Sequence, residues 1–179
     1  MRLFFALWPD PATQMEWIYA TTPILTTLGG KAQPAANLHL TLHFLGEVAA
    51  DRVSTLCRLG ADVACEPMDL HFNQIECWGK ADLACLRPSS EPAALTRLAG
   101  HLGTGLQMAG FSIEKQRFKP HVTLARKLKH REAALPIWPA LDWQARTLAL
   151  VRSHLSPEGS AYEPIAVWDL TNSASEKNS

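Results

Sequence analysis

One tetrapeptide, used twice, restricts what this chain can become more than any other feature. His39-Leu40-Thr41-Leu42 returns 82 residues later as His121-Val122-Thr123-Leu124. Each copy lies in a run that reads as a β-strand, Leu38–Leu45 for the first and His121–Arg126 for the second. Side chains alternate across a strand, so the histidine and threonine of each copy share one face. Leu40 or Val122, with the leucine that follows, shares the other. The apolar pair belongs to the core, and the polar pair belongs to a groove or to solvent. A tandem of two similar units, with these strands side by side, gathers two imidazoles and two hydroxyls around one point.

That set suits in-line attack on phosphorus. One neutral imidazole takes a proton from water, and the other, protonated, gives one to the departing sugar oxygen. Histidine serves both roles because its ordinary pKa is about 6.5. The hydroxyls of Thr41 and Thr123 can donate to the non-bridging phosphate oxygens. Arg126 is the best candidate for a neighbouring cation. Strict alternation puts it on the Val122 face, so a bulge, the strand's end or its own length must bring it round. His43 continues the His39/Thr41 face. His71, His101, His130 and His154 have no partner motif and read as surface or structural residues.

The rest of the sequence describes an ordinary globular protein. Its 179 residues, 47% hydrophobic and 19% charged, can bury one sizeable core or two small lobes with a shared interface. Seventeen Lys and Arg balance seventeen Asp and Glu. A protein that coats long nucleic acid is usually basic, so neutrality favours a small target, such as a nucleotide or an RNA terminus, held by a local patch. Four cysteines without a C-x-x-C pair read as reduced thiols in a cytoplasmic protein. No P-loop, G-x-G-x-x-G, H-E-x-x-H or G-x-S-x-G pattern is present.

Leu3–Trp8 reads as a first, buried strand. Asp10 caps a helix with Pro11 at its first position; Pro23 should kink or end it, and Gly29-Gly30 stops it. Lys31–Asn37 reads as loop. Asp51 caps a second helix running to about Ala64. Met68–Trp78 and Leu83–Arg87 form a hairpin around residues 79–82, and Glu91–Ala109 is the clearest helix, closed by Gly110. A Pro-rich loop follows the second motif, then strands near Thr147–His154 and Ile165–Leu170. This order suits an α+β protein of packed sheets with outer helices. Residues 1–170 are expected to be one domain, and Thr171–Ser179 a disordered tail.

The two motifs, set in NLHLTLHFLGEV and KPHVTLAR, with RLFFAL at the start, closely resemble the two-histidine phosphoesterase superfamily. Within it the likeness is to the bacterial RNA 2′,3′-cyclic phosphodiesterases, also called 2′–5′ RNA ligases, over nearly the whole chain. The resemblance implies two similar lobes of mainly antiparallel sheet about a pseudo-two-fold, with a central groove. It implies hydrolysis of a terminal 2′,3′-cyclic phosphate to a 2′-phosphate without metal or nucleotide cofactor. It also implies reversible, ATP-independent joining of RNA ends. His39 and His121 match the catalytic histidines, Thr41 and Thr123 the phosphate-binding threonines, and Arg126 the arginine after the second motif. The resemblance favours His39 as acid and His121 as base. The expected partner is an RNA 3′ terminus or a cyclic nucleotide, met by a monomer. Two other readings stand beside it: a phosphodiesterase for another small substrate, such as a 2′–5′ oligoadenylate or cyclic ADP-ribose phosphate, and a non-catalytic module that binds RNA ends.

Overall fold

The computed structural model describes residues 1–63, 66–79, 82–113, 117–131, 134–135, 138–156 and 159–170. The expected tail, Cys65 and the tip of the expected 79–82 turn lie outside them. Ten strands and three α-helices follow one another among these residues. They are β1 (Arg2–Leu7), α1 (Pro11–Leu28), β2 (Lys31–Ala32), β3 (Leu40–Glu47), α2 (Val53–Asp62), β4 (Met68–Phe72) and β5 (Gln74–Trp78). After them come β6 (Leu83–Arg87), α3 (Ala93–Met108), β7 (Val122–Arg126), β8 (Leu141–Ala145), β9 (Thr147–Ser156) and β10 (Gly159–Asp169). Short 3₁₀ turns precede β3, at Ala35–Asn37, and α2, at Ala50–Arg52.

An eight-stranded sheet runs β10-β9-β1-β3-β7-β6-β5, with β2 paired to β7, and every pairing in it is antiparallel. β4 and β8 form a separate ribbon. The order is mirrored about its middle. β1–α1–β3 and β6–α3–β7 are each a strand, a helix, and a histidine–threonine strand folded back beside the first. The two units meet at one ladder pair, Leu40 opposite Val122. Each helix crosses over: α1 packs on β7 and α3 on β3, so neither unit buries its apolar surface alone. Leu28 of α1, Leu56 of α2 and Leu102 of α3 all join the core on one face of the sheet, with Leu3, Phe5, Leu40 and Val122. The opposite face carries a second, small cluster of Phe4, Ala6, Ala149 and Val151.

Asp10 caps α1 as expected, accepting from the Thr13 amide at 2.9 Å, and Gly29 ends it in the left-handed conformation. Pro23 does not end the helix, which runs on to Leu28. The proline is exposed, one turn beyond exposed Tyr19, so the carbonyl it leaves without an intrahelical partner belongs to the solvent side, where water can serve it. Asp51 lies within the 3₁₀ turn rather than capping α2 with its side chain. Met68–Trp78, expected as one strand, breaks at Asn73, whose side chain binds the amide and hydroxyl of Ser89. β4 then pairs with β8 while β5 pairs with β6. β8 was missed, although its residues alternate buried and exposed. β10 begins well before Ile165. Lys31–Asn37 is more ordered than a plain loop, since β2 docks on β7 there. Cys57, Cys77 and Cys85 form no disulfide among the described residues.

Replacing Pro23 by alanine should raise stability by roughly 1–3 kcal/mol, because it restores the missing helical hydrogen bond at an exposed position. Urea denaturation measures this. A loss of stability would mean that the ring makes contacts its exposure does not suggest.

Candidate active site

Each motif histidine stands one residue before its strand, not within it. There the backbone turns, and the same local bond recurs in both copies. His39 Nδ1 lies 2.7 Å from the Asn37 carbonyl, and His121 Nδ1 lies 2.8 Å from the Lys119 carbonyl. A carbonyl only accepts, so each Nδ1 carries a hydrogen and each neutral ring leaves its lone pair on Nε2. The Thr41 hydroxyl lies 3.0 Å from His39 Nε2. His39, Thr41, His121, Thr123 and Arg126 line one cavity of about 140 Å³. All five side chains singled out from the sequence therefore converge.

Arg126 reaches the cavity through a bulge. In the β6–β7 ladder, Ala84 faces Ala125 and Cys85 faces Thr123, so Leu124 is an extra residue. One extra residue reverses the alternation downstream. Ala125 joins the core and Arg126 comes round to the Thr123 face. β3 does the same at the matching leucine: Phe5 faces His43 and Ala6 faces Thr41, which leaves Leu42 extra. The bulge takes His43 off the face of His39 and Thr41, although it still lines a neighbouring cavity together with Thr41 and His121. It turns to the Phe5 side, where its Nε2 donates to the Ala99 carbonyl of α3 at 2.7 Å. Gly103 leaves room for it, since a β-carbon there would stand 3.0 Å from the imidazole. Phe44 takes the place on the cavity wall that Arg126 holds in the other copy.

The two histidines differ in what surrounds them. His39 is enclosed by rings: Trp8 stacks on it at 5.4 Å, Phe4 lies at 4.8 Å, and Tyr162 meets it edge-on at 5.0 Å. Burial there pulls its pKa down to about 4, against the Asn37 carbonyl, which favours the proton; His121 and Arg126 depress it further. The His121 pKa is also lowered, by burial first and then by Arg87 and Arg126. In the other copy Arg87 stands where Trp8 does, since Leu7 faces Leu40 and Leu86 faces Val122. Glu76 fixes Arg87, with its carboxylate 2.6 Å from the guanidinium, and accepts from Trp78 Nε1 at 2.7 Å. Trp78 in turn lies 4.7 Å from the His121 ring.

A second cavity of about 220 Å³ adjoins the first and shares Thr41, Phe44 and His121 with it. Leu42, His43, Trp78, Phe118, Arg117 and Lys119 complete its wall, whose ring faces and cations suit a base and a phosphate. Sequence reasoning missed Phe4, Trp8, Gln33, Trp78, Arg87 and Tyr162 as neighbours of the site. One signal was present: Leu7-Trp8-Pro9 is echoed by Leu86-Arg87-Pro88, which extends the repeat to the strand before each helix. His71 pairs with Asp142 and His154 with Glu163, both away from these cavities. Among the described residues no three His, Cys, Asp or Glu side chains gather as metal ligands.

Known proteins resemble this chain over most of its length. Residues 8–157 match the model of the 2′–5′ RNA ligase superfamily. The RNA 2′,3′-cyclic phosphodiesterase of Escherichia coli is 27% identical, over 95% of this chain and 97% of its own. The protein of the same name from Archaeoglobus fulgidus is 30% identical, over 94% and 100%. A solved structure of E. coli LigT complexed with 3′-AMP superimposes with a TM-score of 0.83, covering 95% of this chain and 98% of that one. The MHV ns2 PDE domain, at 14% identity and a TM-score of 0.57, shares the fold alone.

Both rings should titrate below the ordinary histidine range, His39 near 4, and both should be neutral Nδ1–H tautomers at pH 7 by ¹⁵N NMR. Between 6.5 and about 4 the unfolded chain binds a proton that folded His39 does not. The stability due to its neutral burial is thus complete above 6.5 and falls away as the pH drops towards 4. His39→Leu should flatten that part of a pH–stability curve.

Proposed function

The chain belongs to the 2′–5′ RNA ligase superfamily, and we propose that it hydrolyses terminal 2′,3′-cyclic phosphates on RNA to 2′-phosphates, with reversible 2′–5′ joining of RNA ends as the related reaction. The observation that carries this reading is the convergence of His39 and His121, each clamped at Nδ1, with Thr41, Thr123 and Arg126 around one cavity. The phosphate lies between the two Nε2 atoms. The threonine hydroxyls and the Arg126 guanidinium hold its non-bridging oxygens as charge builds there. One imidazole removes the proton from water as the new phosphorus–oxygen bond forms. The other protonates the 3′-oxygen as its bond to phosphorus breaks, which leaves the phosphate on the 2′-oxygen. In the joining reaction a 5′-hydroxyl takes the place of water.

The surroundings of the histidines favour a role order opposite to the one the resemblance suggested. His39, walled by Phe4, Trp8 and Tyr162, is the harder ring to protonate, and Thr41 can donate to its free Nε2. This supports His39 as the base and His121 as the acid. The second cavity, with Phe44 and Trp78, suits the nucleobase. The protein acts as a cytoplasmic monomer on RNA 3′ termini or small cyclic nucleotides. A substrate panel that includes 2′–5′ oligoadenylate and cyclic ADP-ribose phosphate separates this reading from the neighbouring chemistries. A non-catalytic module would bind the 2′-phosphate product and turn nothing over.

Incubation with a 2′,3′-cyclic nucleotide in excess chelator should give the 2′-phosphate only; a 3′-phosphate product, or activity that disappears with chelator, defeats the reading. His39→Ala and His121→Ala should each lower kcat by about 10²–10⁴-fold. A substrate whose bridging 3′-oxygen is replaced by sulfur needs no acid. It should restore turnover to His121→Ala and not to His39→Ala if the order above holds. The pH profile of kcat/KM should be a bell centred below 6.5, because burial lowers both histidines. Rising pH removes the acid's proton, and falling pH protonates the base.

A further inference from the structure

The chain is neutral as a whole, yet residues 117–131 (RFKPHVTLARKLKHR) hold six Lys and Arg, two His and no Asp or Glu. This run passes through the site. Arg117 and Lys119 line the second cavity, His121, Thr123 and Arg126 line the first, and Lys127, Lys129 and His130 continue outward as exposed residues. Arg117 pairs with Glu91 and Arg131 with Asp82, so neither of these two is free to meet another anion unopposed.

The outward part is held rigidly by backbone bonds. Leu128 is buried between the flanking cations, and a β-carbon on Gly30 would clash with it at 2.7 Å. The Lys129 and His130 amides both donate to the Leu28 carbonyl at the end of α1. Lys127 sits in the left-handed region at φ 57° and donates its amide to the Asp82 carbonyl at 2.8 Å. A lysine is an uncommon choice there, where glycine avoids the strain. The negative end of α1 accounts for cations at 129 and 130. It does not account for Lys127, nor for the run's continuity with Arg126 in the cavity.

We infer that Lys127 and Lys129, continuing from Arg126, form a track for the phosphates of the RNA strand that carries the cyclic end, so that the protein prefers an RNA strand to a lone cyclic nucleotide. The inference rests on the proposed action at RNA ends. The backbone bonds fix where the two lysines stem from the chain, their flexible side chains let the ammonium groups meet neighbouring phosphates of a single strand, and counterion release supplies the affinity.

The test uses the full chain and the variants Lys127→Gly/Lys129→Gln and Lys127→Arg/Lys129→Arg. Glycine keeps the left-handed turn, and the arginine pair keeps the charge. Binding of a fluorescent single-stranded RNA ending in a 2′-phosphate is followed by anisotropy against salt. In parallel, kcat/KM is compared between a cyclic mononucleotide and the same nucleotide at the end of a short RNA. The first variant should weaken RNA binding about tenfold at low salt and flatten the log–log salt slope by roughly 1.4, since each lost phosphate contact removes about 0.7. It should lower kcat/KM for the RNA and leave the mononucleotide unchanged, and the arginine pair should behave as the parent. Equal losses on both substrates, or no change in RNA binding, overturn the track. If RNA binding falls as stated while the parent turns over no cyclic phosphate, the track stands and the proposed activity fails.

Discussion

Two strands from distant parts of the sequence touch at one residue pair, Leu40 and Val122, and the site exists because they do. On either side of that pair the sheet repeats itself in mirrored order, β9–β1–β3 against β7–β6–β5. The pair is held from behind by helices that change sides, α1 on β7 and α3 on β3. Separating the units would expose both helices' apolar stripes at once, at about 25 cal/mol for each Å² of apolar surface. The active cavity thus inherits its rigidity from the core beneath it.

The second leucine of each motif contributes more than core packing. Leu42 and Leu124 are both bulge residues. Each buries its side chain and at the same time reverses the strand's alternation. A histidine and a threonine before the bulge share a face with the second residue after it, Phe44 in one copy and Arg126 in the other. The same device therefore delivers an aromatic wall to one half of the site and a cation to the other. The repeat supplies the scaffold, and different residues at equivalent positions give its two halves the chemical asymmetry that the proposed pairing of one acid with one base requires. Trp8 against Arg87 is a second instance: a ring plane lies over His39, while a guanidinium held by Glu76 neighbours His121.

Much of this was legible in the residues. The doubled motif identified four of the five side chains that meet in the cavity, because a period of two is readable over four residues and the motif occurs twice; Arg126 came from the family resemblance, since alternation alone points it away and only the bulge at Leu124 brings it round. Helix α1 announced its start through Asp10 and Pro11 and its end through Gly29. The errors share a cause. Intrinsic preference lets Pro23 end α1, but the helix runs on to Leu28 because the carbonyl that loses its partner faces solvent. Asn73 was read as part of a strand, but its side-chain bonds to Ser89 divide that strand between two sheets. Simple alternation puts His43 on the face of His39 and Thr41, and the bulge at Leu42 turns it to the Phe5 side, where it still lines the second cavity.

The sequence by itself determined the repeated unit, the residue types at the site and the neutral charge with its one basic run, because these depend on local order along the chain. Only the tertiary structure decided which rings enclose His39, where the alternation breaks, and that Phe4, Tyr162 and Trp78 belong to the site. Those contacts join residues far apart in sequence, from β1, β10 and β5. Their register is set by strand pairing and by the packing of the core, which no short stretch of residues encodes.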